Sequence, residues 1–173
     1  GIETSNSHQE TVYLKEIISH QDFWDDSIKL PVVLGQQADG EVKVVDLRKM
    51  PHLLVAGSTG SGKSVFVMGL LMGLLFRHSP KTLRLVLIDP KQVDLSFFNH
   101  CPHLIIPPIR EIQKAVLGLK WALREMEKRY RSMSKWGVRG LEEFNDMVIK
   151  LTPEEKEEHL KYHSEEKTKV FLN

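Results

Sequence analysis

The sequence predicts an α/β domain with a mainly parallel sheet. Two short apolar runs, residues 53–56 and 83–89, are typical of strands that are buried on both faces. Between them, residues 65–76 are apolar almost all round, which is typical of a helix packed inside an α/β layer. A strand, a helix and a second strand in this order predict a right-handed crossover that places the two strands parallel and side by side.

The chain ahead of the first sheet strand is predicted to form a short helix and a β-hairpin. Residues 11–19 have the apolar spacing of a short amphipathic helix. Two further apolar runs, residues 31–34 and 42–47, flank the dipeptide Asp39-Gly40, which suits a turn with positive φ. The hairpin is therefore expected to lead into the sheet.

The longest predicted helix covers residues 111–136 and is amphipathic, and Gly137 suits its C-terminal end. We expect its apolar stripe to pack on a sheet, with a coiled coil as the alternative. The charged cluster at residues 124–131 is expected to be solvated, or else to touch phosphates or a neighbouring subunit. The stripe consists of Ile112, Val116, Leu119, Leu123, Met126, Tyr130 and Met133.

The last part of the chain is predicted to be helical and charged. Residues 141–151 have the pattern of a further short helix. Residues 152–155, Thr-Pro-Glu-Glu, combine an N-cap, a proline at the first helical position and a glutamate at the third. The helix that they begin is expected to extend to about residue 163, and residues 170–172 resemble the opening of another strand.

A glycine-rich loop lies between the first predicted strand and the helix that follows it. Its sequence fits the spacing G-x-x-x-x-G-K-[S/T] at every fixed position. Glycines let the backbone turn tightly and point N–H groups inward, and the helix adds the positive end of its dipole. The loop is therefore predicted to bind a polyphosphate, with a flexible Gly/Ser turn as the alternative. It consists of Gly57, Ser58, Thr59, Gly60, Ser61, Gly62, Lys63 and Ser64.

Two side chains of the loop carry the predicted chemistry. Lys63 is expected to reach the β and γ oxygens of the polyphosphate, and it is the catalytic residue that the sequence predicts. The Ser64 hydroxyl is expected to bind Mg²⁺.

Asp89 is a further candidate because ligands of open parallel sheets gather at the carboxyl ends of strands. Apolar residues followed by Asp also resemble the strand end that binds Mg²⁺ in many NTPases. Where the hydrolysing enzymes carry a glutamate base directly after this residue, Pro90 and Lys91 follow here. We therefore expect Asp89 to end an adjacent strand, with a Mg²⁺-side carboxylate as the alternative.

The composition limits the classes of function. Lys and Arg number 24 against 23 Asp and Glu, so a nucleic-acid contact would need a local basic patch. Cys101 is the only cysteine, which excludes an internal disulfide and favours a reducing compartment. His100 and His103 flank it, but without a second ligand pair a loop turning at Pro102 is favoured over a zinc site. The longest apolar run is too short to span a bilayer.

Several motifs together resemble one known family. Residues 30–145 resemble the motor domain of the FtsK/SpoIIIE family, the bacterial double-stranded DNA translocases. The motifs fall in the order and spacing of that family, which is more specific than the phosphate loop alone. They are Met50-Pro51-His52-Leu53-Leu54-Val55-Ala56-Gly57, Ile88-Asp89-Pro90-Lys91 with Asp94-Leu95, Cys101-Pro102-His103-Leu104, Met126-Glu127-Lys128-Arg129-Tyr130, Gly137-Val138-Arg139 and Phe144-Asn145.

The resemblance implies a RecA-like P-loop NTPase fold that binds ATP and Mg²⁺. It further implies a homo-hexamer around double-stranded DNA, in which ATP hydrolysis drives the DNA through the ring during bacterial cell division and chromosome segregation. The chain would be a cytoplasmic domain of a bacterial inner-membrane protein, with membrane anchoring through segments outside this chain. Two alternatives remain: a related motor of type VII secretion or conjugation, and a truncated nucleotide-binding remnant that does not hydrolyse ATP.

The resemblance also implies domain boundaries. We expect a helical lead-in at residues 1–30, a partial motor core at 31–151, and a charged helical connector with the start of a further strand at 152–173. The Mg²⁺-binding strand of the family, which ends in an Asp-Glu pair, is expected to lie beyond this chain. Such motors also use an arginine from a neighbouring subunit. The candidates for that arginine are Arg124, Arg129 and Arg139.

Overall fold

The computed structural model describes residues 11–37, 39–92 and 95–157. The chain divides into two compact units, Gly1–Arg110 and Glu111–Asn173. In the first unit, the helices and strands are α1 (Leu14–Ile18), β1 (Pro31–Gln36), β2 (Val42–Asp46) and α2 (Lys63–Arg77), with 3₁₀ turns at Gln21–Trp24, Leu47–Lys49 and Ser96–Phe98. The second unit contains α3 (Ile112–Lys135) and α4 (Leu141–Lys150).

Strands β1 and β2 form the predicted hairpin. They pair antiparallel, from Pro31 opposite Asp46 to Gln36 opposite Val42. Gly40 in the connecting turn has a φ of +87°, the left-handed conformation that the Asp-Gly dipeptide predicts. The hairpin prediction is confirmed.

Helix α1 and the 3₁₀ turn after it pack against this hairpin and against α2. Phe23 is fully buried, and its ring lies 3.6 Å from the position that a Cβ on Gly73 would occupy. Gly73 therefore lets α2 approach the ring closely. The apolar cluster around Phe23 consists of Ile17 and Val33, which are buried, and of Ile18, Val42 and Val44, which are half-buried.

Arg77, in the last turn of α2, bonds to the same N-terminal segment. Its guanidinium lies 5.3 Å from the centroid of the Trp24 ring, and its Nη2 donates to Asp26 Oδ1 at 2.8 Å. Trp24 Nε1 in turn donates to the Ile18 carbonyl at 2.7 Å. Polar contacts therefore reinforce the apolar packing between the lead-in and α2.

Helix α2 confirms the predicted helix at residues 65–76 and is longer by two residues at its N-terminal end and by one at its C-terminal end. Leu71 is buried together with Leu87 and Phe98, which lie after the helix in sequence. These side chains come from three separate segments. Together they form the second apolar core of this unit.

Residues 83–89 are extended and pair in parallel with a segment that includes Pro107 and Pro108. Isolated parallel bridges join Leu85 to Leu104 and Ile88 to Ile109. The two prolines lack an N–H group and are disfavoured inside strands, so the sequence pattern did not indicate this partner.

The predicted pairing between residues 53–56 and 83–89 is absent from the described part of the chain. No strand is assigned at 53–56, and the described residues contain one sheet, the antiparallel hairpin. A buried strand needs hydrogen-bonding neighbours and covering layers, whereas Leu54 is 90% exposed. The expectation of a mainly parallel sheet is therefore corrected to two isolated parallel bridges in these residues.

Helix α3 confirms the predicted long helix. It ends in a Schellman motif, in which Gly137 has a φ of +68° and Val138 N donates to Met133 O at 3.1 Å. The described residues of the second unit contain no strand on which its apolar stripe could pack as expected. The exposed members of the stripe are Ile112, Val116, Leu119, Leu123, Met126 and Tyr130.

Helix α4 confirms the helix predicted at residues 141–151. After it, Thr152 and Glu155 form a reciprocal capping box: Glu155 N donates to Thr152 Oγ1 at 3.3 Å, and Thr152 N donates to Glu155 Oε2 at 2.8 Å. The predicted helix start is confirmed, whereas its far end and the strand expected at residues 170–172 lie outside the described residues.

Candidate functional site

The glycine loop joins residues 53–56 to helix α2. Gly60 and Gly62 have φ values of +80° and +88°, which side chains with a Cβ rarely adopt. Phe66 N donates to Gly62 O at 2.8 Å and so starts the helix at the end of the loop. Glycine at both positions is therefore required by the backbone conformation itself.

Lys63 lies near the end of this loop and bonds back to its start. Its Nζ donates to the carbonyl oxygens of Gly57 and Ser58, at 2.6 and 2.8 Å. Lys63 is half-buried, whereas the other seven residues of the predicted site are exposed. The chain thus curls around one ammonium group and leaves the surrounding loop open to solvent.

The first turn of α2 is open to an anion. The N-cap residue, Gly62, has no side chain to accept a hydrogen bond from the first N–H groups of the helix. Ser64 stands in this turn with its residue exposed. Unpaired N–H groups, the helix dipole and the Lys63 cation all favour a bound anion here.

A side chain at Gly57 would require Ser61 to move. A Cβ at this position would collide with Ser61 Oγ and would lie 3.2 Å from Ser61 Cβ and 3.5 Å from Lys63 Cγ. The motif predicts a glycine here, but the contact with Ser61 is visible only in the folded loop.

Asp89 is buried at the end of the segment 83–89. Its Oδ1 accepts from Gln92 N at 3.1 Å, and its Oδ2 accepts from Leu95 N at 3.0 Å. Both carboxylate oxygens thus hold the turn that follows the segment. This geometry supports the interpretation of Asp89 as a strand-ending residue.

The His-Cys-Pro-His run forms a turn. His103 is buried, with Nε2 2.8 Å from His78 O and Nδ1 3.5 Å from Cys101 Sγ. Across residues 11–37, 39–92 and 95–157, no three His, Cys, Asp or Glu side chains lie close enough together to hold a metal ion. The loop interpretation fits this arrangement.

Asp46 is a buried charge that sequence reasoning did not single out. Its carboxylate accepts from the backbone N–H groups of Lys29, Leu30 and Arg48 at 3.0–3.2 Å, and from the Arg48 guanidinium at 3.1 Å. Burial alone would raise the pKa of Asp46, but these hydrogen bonds outweigh it and lower that pKa to about 2. Asp46 therefore joins the hairpin to the lead-in and is a structural group.

Helices long and apolar enough to cross a bilayer are absent from the described parts of the chain.

Comparison with curated proteins finds relatives named DNA translocase FtsK. The relative from Mesorhizobium japonicum is 50% identical over 148 residues, which cover 86% of this chain and 17% of the relative. The relative from Agrobacterium fabrum is 49% identical over the same length, with the same coverage. The relative from Rickettsia typhi is 46% identical over 154 residues, 89% of this chain and 21% of the relative. The chain thus spans about a fifth of the length of these relatives.

The sequence profile of the FtsK/SpoIIIE family matches residues 13–162, which include the glycine loop, α2 and α3. This match covers well over half of the 173 residues. The chain belongs to the FtsK/SpoIIIE family.

Proposed function

We propose that this chain is the ATP-binding part of a motor that translocates double-stranded DNA. The observation that carries the proposal is the glycine loop closed around the Lys63 ammonium, at the uncapped start of α2. Relatives that are 50% and 46% identical over most of the chain are named DNA translocases. Their names support DNA as the substrate of the whole motor.

The loop has the groups that nucleotide phosphates need. Lys63 Nζ, which is held by two neutral carbonyls, would turn to the β and γ oxygens because hydrogen bonds between charged groups are stronger. The first N–H groups of α2 would bind the same phosphates. Ser64 would hold Mg²⁺ together with the nucleotide, and the bound ion would neutralise charge on the β and γ phosphates.

The finer fold that we infer for the assembled motor is RecA-like. There, residues 53–56, which form no strand in this structure, would add in parallel to the second edge of segment 83–89. Leu85 and Asp89 direct their backbone groups toward the segment at 103–109. Since strand residues alternate, Val86 and Ile88 direct theirs to the opposite edge, where no described residue bonds to them. Slowed hydrogen exchange at these two amides in the assembled motor would test the pairing.

Assembly and location follow from the same proposal. We infer a homo-hexamer around duplex DNA, with membrane anchoring through other segments of a bacterial inner-membrane protein. Within this chain, residues 1–30 would be the lead-in, 31–151 the ATP-binding core and 152–173 a connector. Arg124, Arg129 and Arg139 remain the candidates for an arginine that acts on a neighbouring subunit.

Nucleotide binding tests the proposal directly. Replacing Lys63 by alanine removes the cation that faces the phosphates, so the dissociation constant for Mg²⁺-ATP should rise about 10- to 100-fold. Titration calorimetry of the 173-residue chain measures this change. Lys91→Ala, at an exposed lysine outside the loop, is the matched control and should bind as the wild type does. Equal affinities for the wild type and Lys63→Ala would refute the proposed site.

Turnover provides the second test. Asp89 directs both carboxylate oxygens to backbone N–H groups, so it is poorly placed to orient a water molecule. A missing water-orienting group costs about 10²–10⁴-fold in rate, and a missing arginine from a neighbour about 10³-fold or more. We therefore expect this chain alone to hydrolyse ATP far below motor-like rates in a DNA-stimulated assay. Several turnovers per second would make Asp89 the leading catalytic candidate.

A further inference from the structure

The glycines of the loop are glycines for two different reasons. Gly60 and Gly62 have positive φ values, and a Cβ at either position would meet nothing within 4 Å. Gly57 has no positive φ, yet a Cβ there would collide with Ser61 Oγ. The first two positions are limited by backbone conformation, and the third is limited by space.

The space above Gly57 is filled by Ser61 and by the stem of Lys63. Ser61 N donates to Ser58 O at 3.2 Å, and this turn carries the Ser61 side chain back over Gly57. Ser58 O also accepts from Lys63 Nζ, as does Gly57 O. The Ser58 carbonyl therefore both closes the turn and binds the ammonium group, and the Gly57 carbonyl precedes it directly.

We propose that Ser61 is a positioning residue for Lys63, and that its side chain is the reason why residue 57 must be glycine. Gly57 O and Ser58 O come at the start of the loop, and Lys63 comes directly after the turn that Ser61 N closes on Ser58 O. A side chain at residue 57 would displace Ser61 and so shift the ammonium group relative to its two carbonyls, whereas loss of the Ser61 side chain leaves the backbone bond of the turn intact. This inference rests on the proposed nucleotide binding for its ligand, a nucleoside di- or triphosphate.

The contact can be tested with a size exchange between the two positions. Gly57→Ala should weaken Mg²⁺-ATP binding about 10-fold or more, because the new methyl group displaces Ser61 and with it the turn that precedes Lys63. Ser61→Gly alone should weaken binding only about 2- to 3-fold. The backbone bond from Ser61 N to Ser58 O stays, and only the contact of the Ser61 side chain with Gly57 is lost. The double variant, which restores the space, should bind within about 3-fold of Ser61→Gly, since residues in contact do not behave additively.

Gly60→Ala is the matched control. Its backbone strain comes from a φ of +80° and has no connection to space near Ser61, so Ser61→Gly should not rescue it. Affinities are measured by the fluorescence of N-methylanthraniloyl ATP and ADP. Displacement of Lys63 should reduce the affinity for ATP more than that for ADP, a difference that general damage to the fold would not produce.

Thermal unfolding of the same variants without nucleotide gives a second readout. Gly57→Ala should lower the midpoint, and Ser61→Gly should restore it in the double variant but not beside Gly60→Ala. Wild-type affinity in Gly57→Ala, or a double variant no better than Gly57→Ala, would overturn the inference. A wild-type chain that binds no nucleotide would instead refute the proposed function, and the unfolding midpoints would still decide the Gly57–Ser61 contact.

Discussion

Helices α2 and α3 both carry many apolar residues, but they bury them to very different degrees. In α2, Leu71 is 6% exposed and packs with Leu87 and Phe98. In α3, Leu119 and Leu123 are 62% and 52% exposed, although they belong to a regular apolar stripe. The described residues of the first unit supply packing partners for α2, whereas those of the second unit leave the apolar stripe of α3 exposed.

The difference shows how much of the packing an apolar pattern predicts. A repeat of three and four residues predicts which face of a helix is apolar, because the backbone places those side chains on one side. It does not predict which segment covers that face. On α3, the buried positions include Lys128 and Ser132, which lie outside the predicted stripe.

The largest expected difference between the two helices is in the loss of unfolding free energy when a leucine is replaced by alanine. Leu71→Ala in α2 should reduce the free energy of unfolding by about 2–5 kcal/mol, because it leaves a cavity among buried side chains. Leu123→Ala in α3 is the matched control, and it should change that free energy by about 0.5 kcal/mol or less. Urea unfolding followed by circular dichroism measures both. A comparable loss in the two variants would mean that the α3 stripe is buried in solution.

The buried charge of Asp46, in the first unit, should make the free energy of unfolding depend on pH in the acidic range. The pKa of Asp46 is lowered from 3.8 to about 2, so the unfolded chain takes up its proton first as the pH falls. The stabilisation is fully present above pH 3.8 and is lost as the pH falls toward 2, a change of roughly 2 kcal/mol. Urea unfolding of the wild type and Asp46→Asn between pH 5 and pH 2 should show this loss in the wild type only. Parallel pH profiles of the two proteins would contradict it.

The smallest effects are expected at one ion pair of each helix, where α2 and α3 should respond alike. Asp26, which pairs with Arg77 of α2, has a side chain that is 95% exposed, and Glu125 pairs with Arg129 on the surface of α3. Exposed ion pairs contribute about 0–1 kcal/mol and are screened by salt. Asp26→Asn and Glu125→Gln should therefore change the unfolding midpoint slightly and to a similar extent at low salt. A large loss in one variant alone would show that its pair is not a simple surface contact.

The sequence by itself determined the elements whose signals are local. The Asp39-Gly40 turn, the capping box at Thr152 and Glu155, and the end of α3 at Gly137 all involve residues within a few positions of each other. The same holds for Gly60 and Gly62 of the glycine loop, which have positive φ values. In each case backbone geometry and hydrogen bonds between near neighbours are sufficient to specify the conformation.

Only the tertiary structure decided which distant segments meet. Three observations concern groups that are far apart in sequence. Residues 83–89 pair with 104–109, residues 53–56 pair with no described strand, and Asp46 accepts a hydrogen bond from Lys29 N. Such contacts depend on competition among many partners for the same edge or the same space, and no periodicity within one segment records its outcome. The contact between Gly57 and the Ser61 side chain is a short-range example of the same kind. It exists only when the loop is folded with Lys63 bonded to Gly57 O.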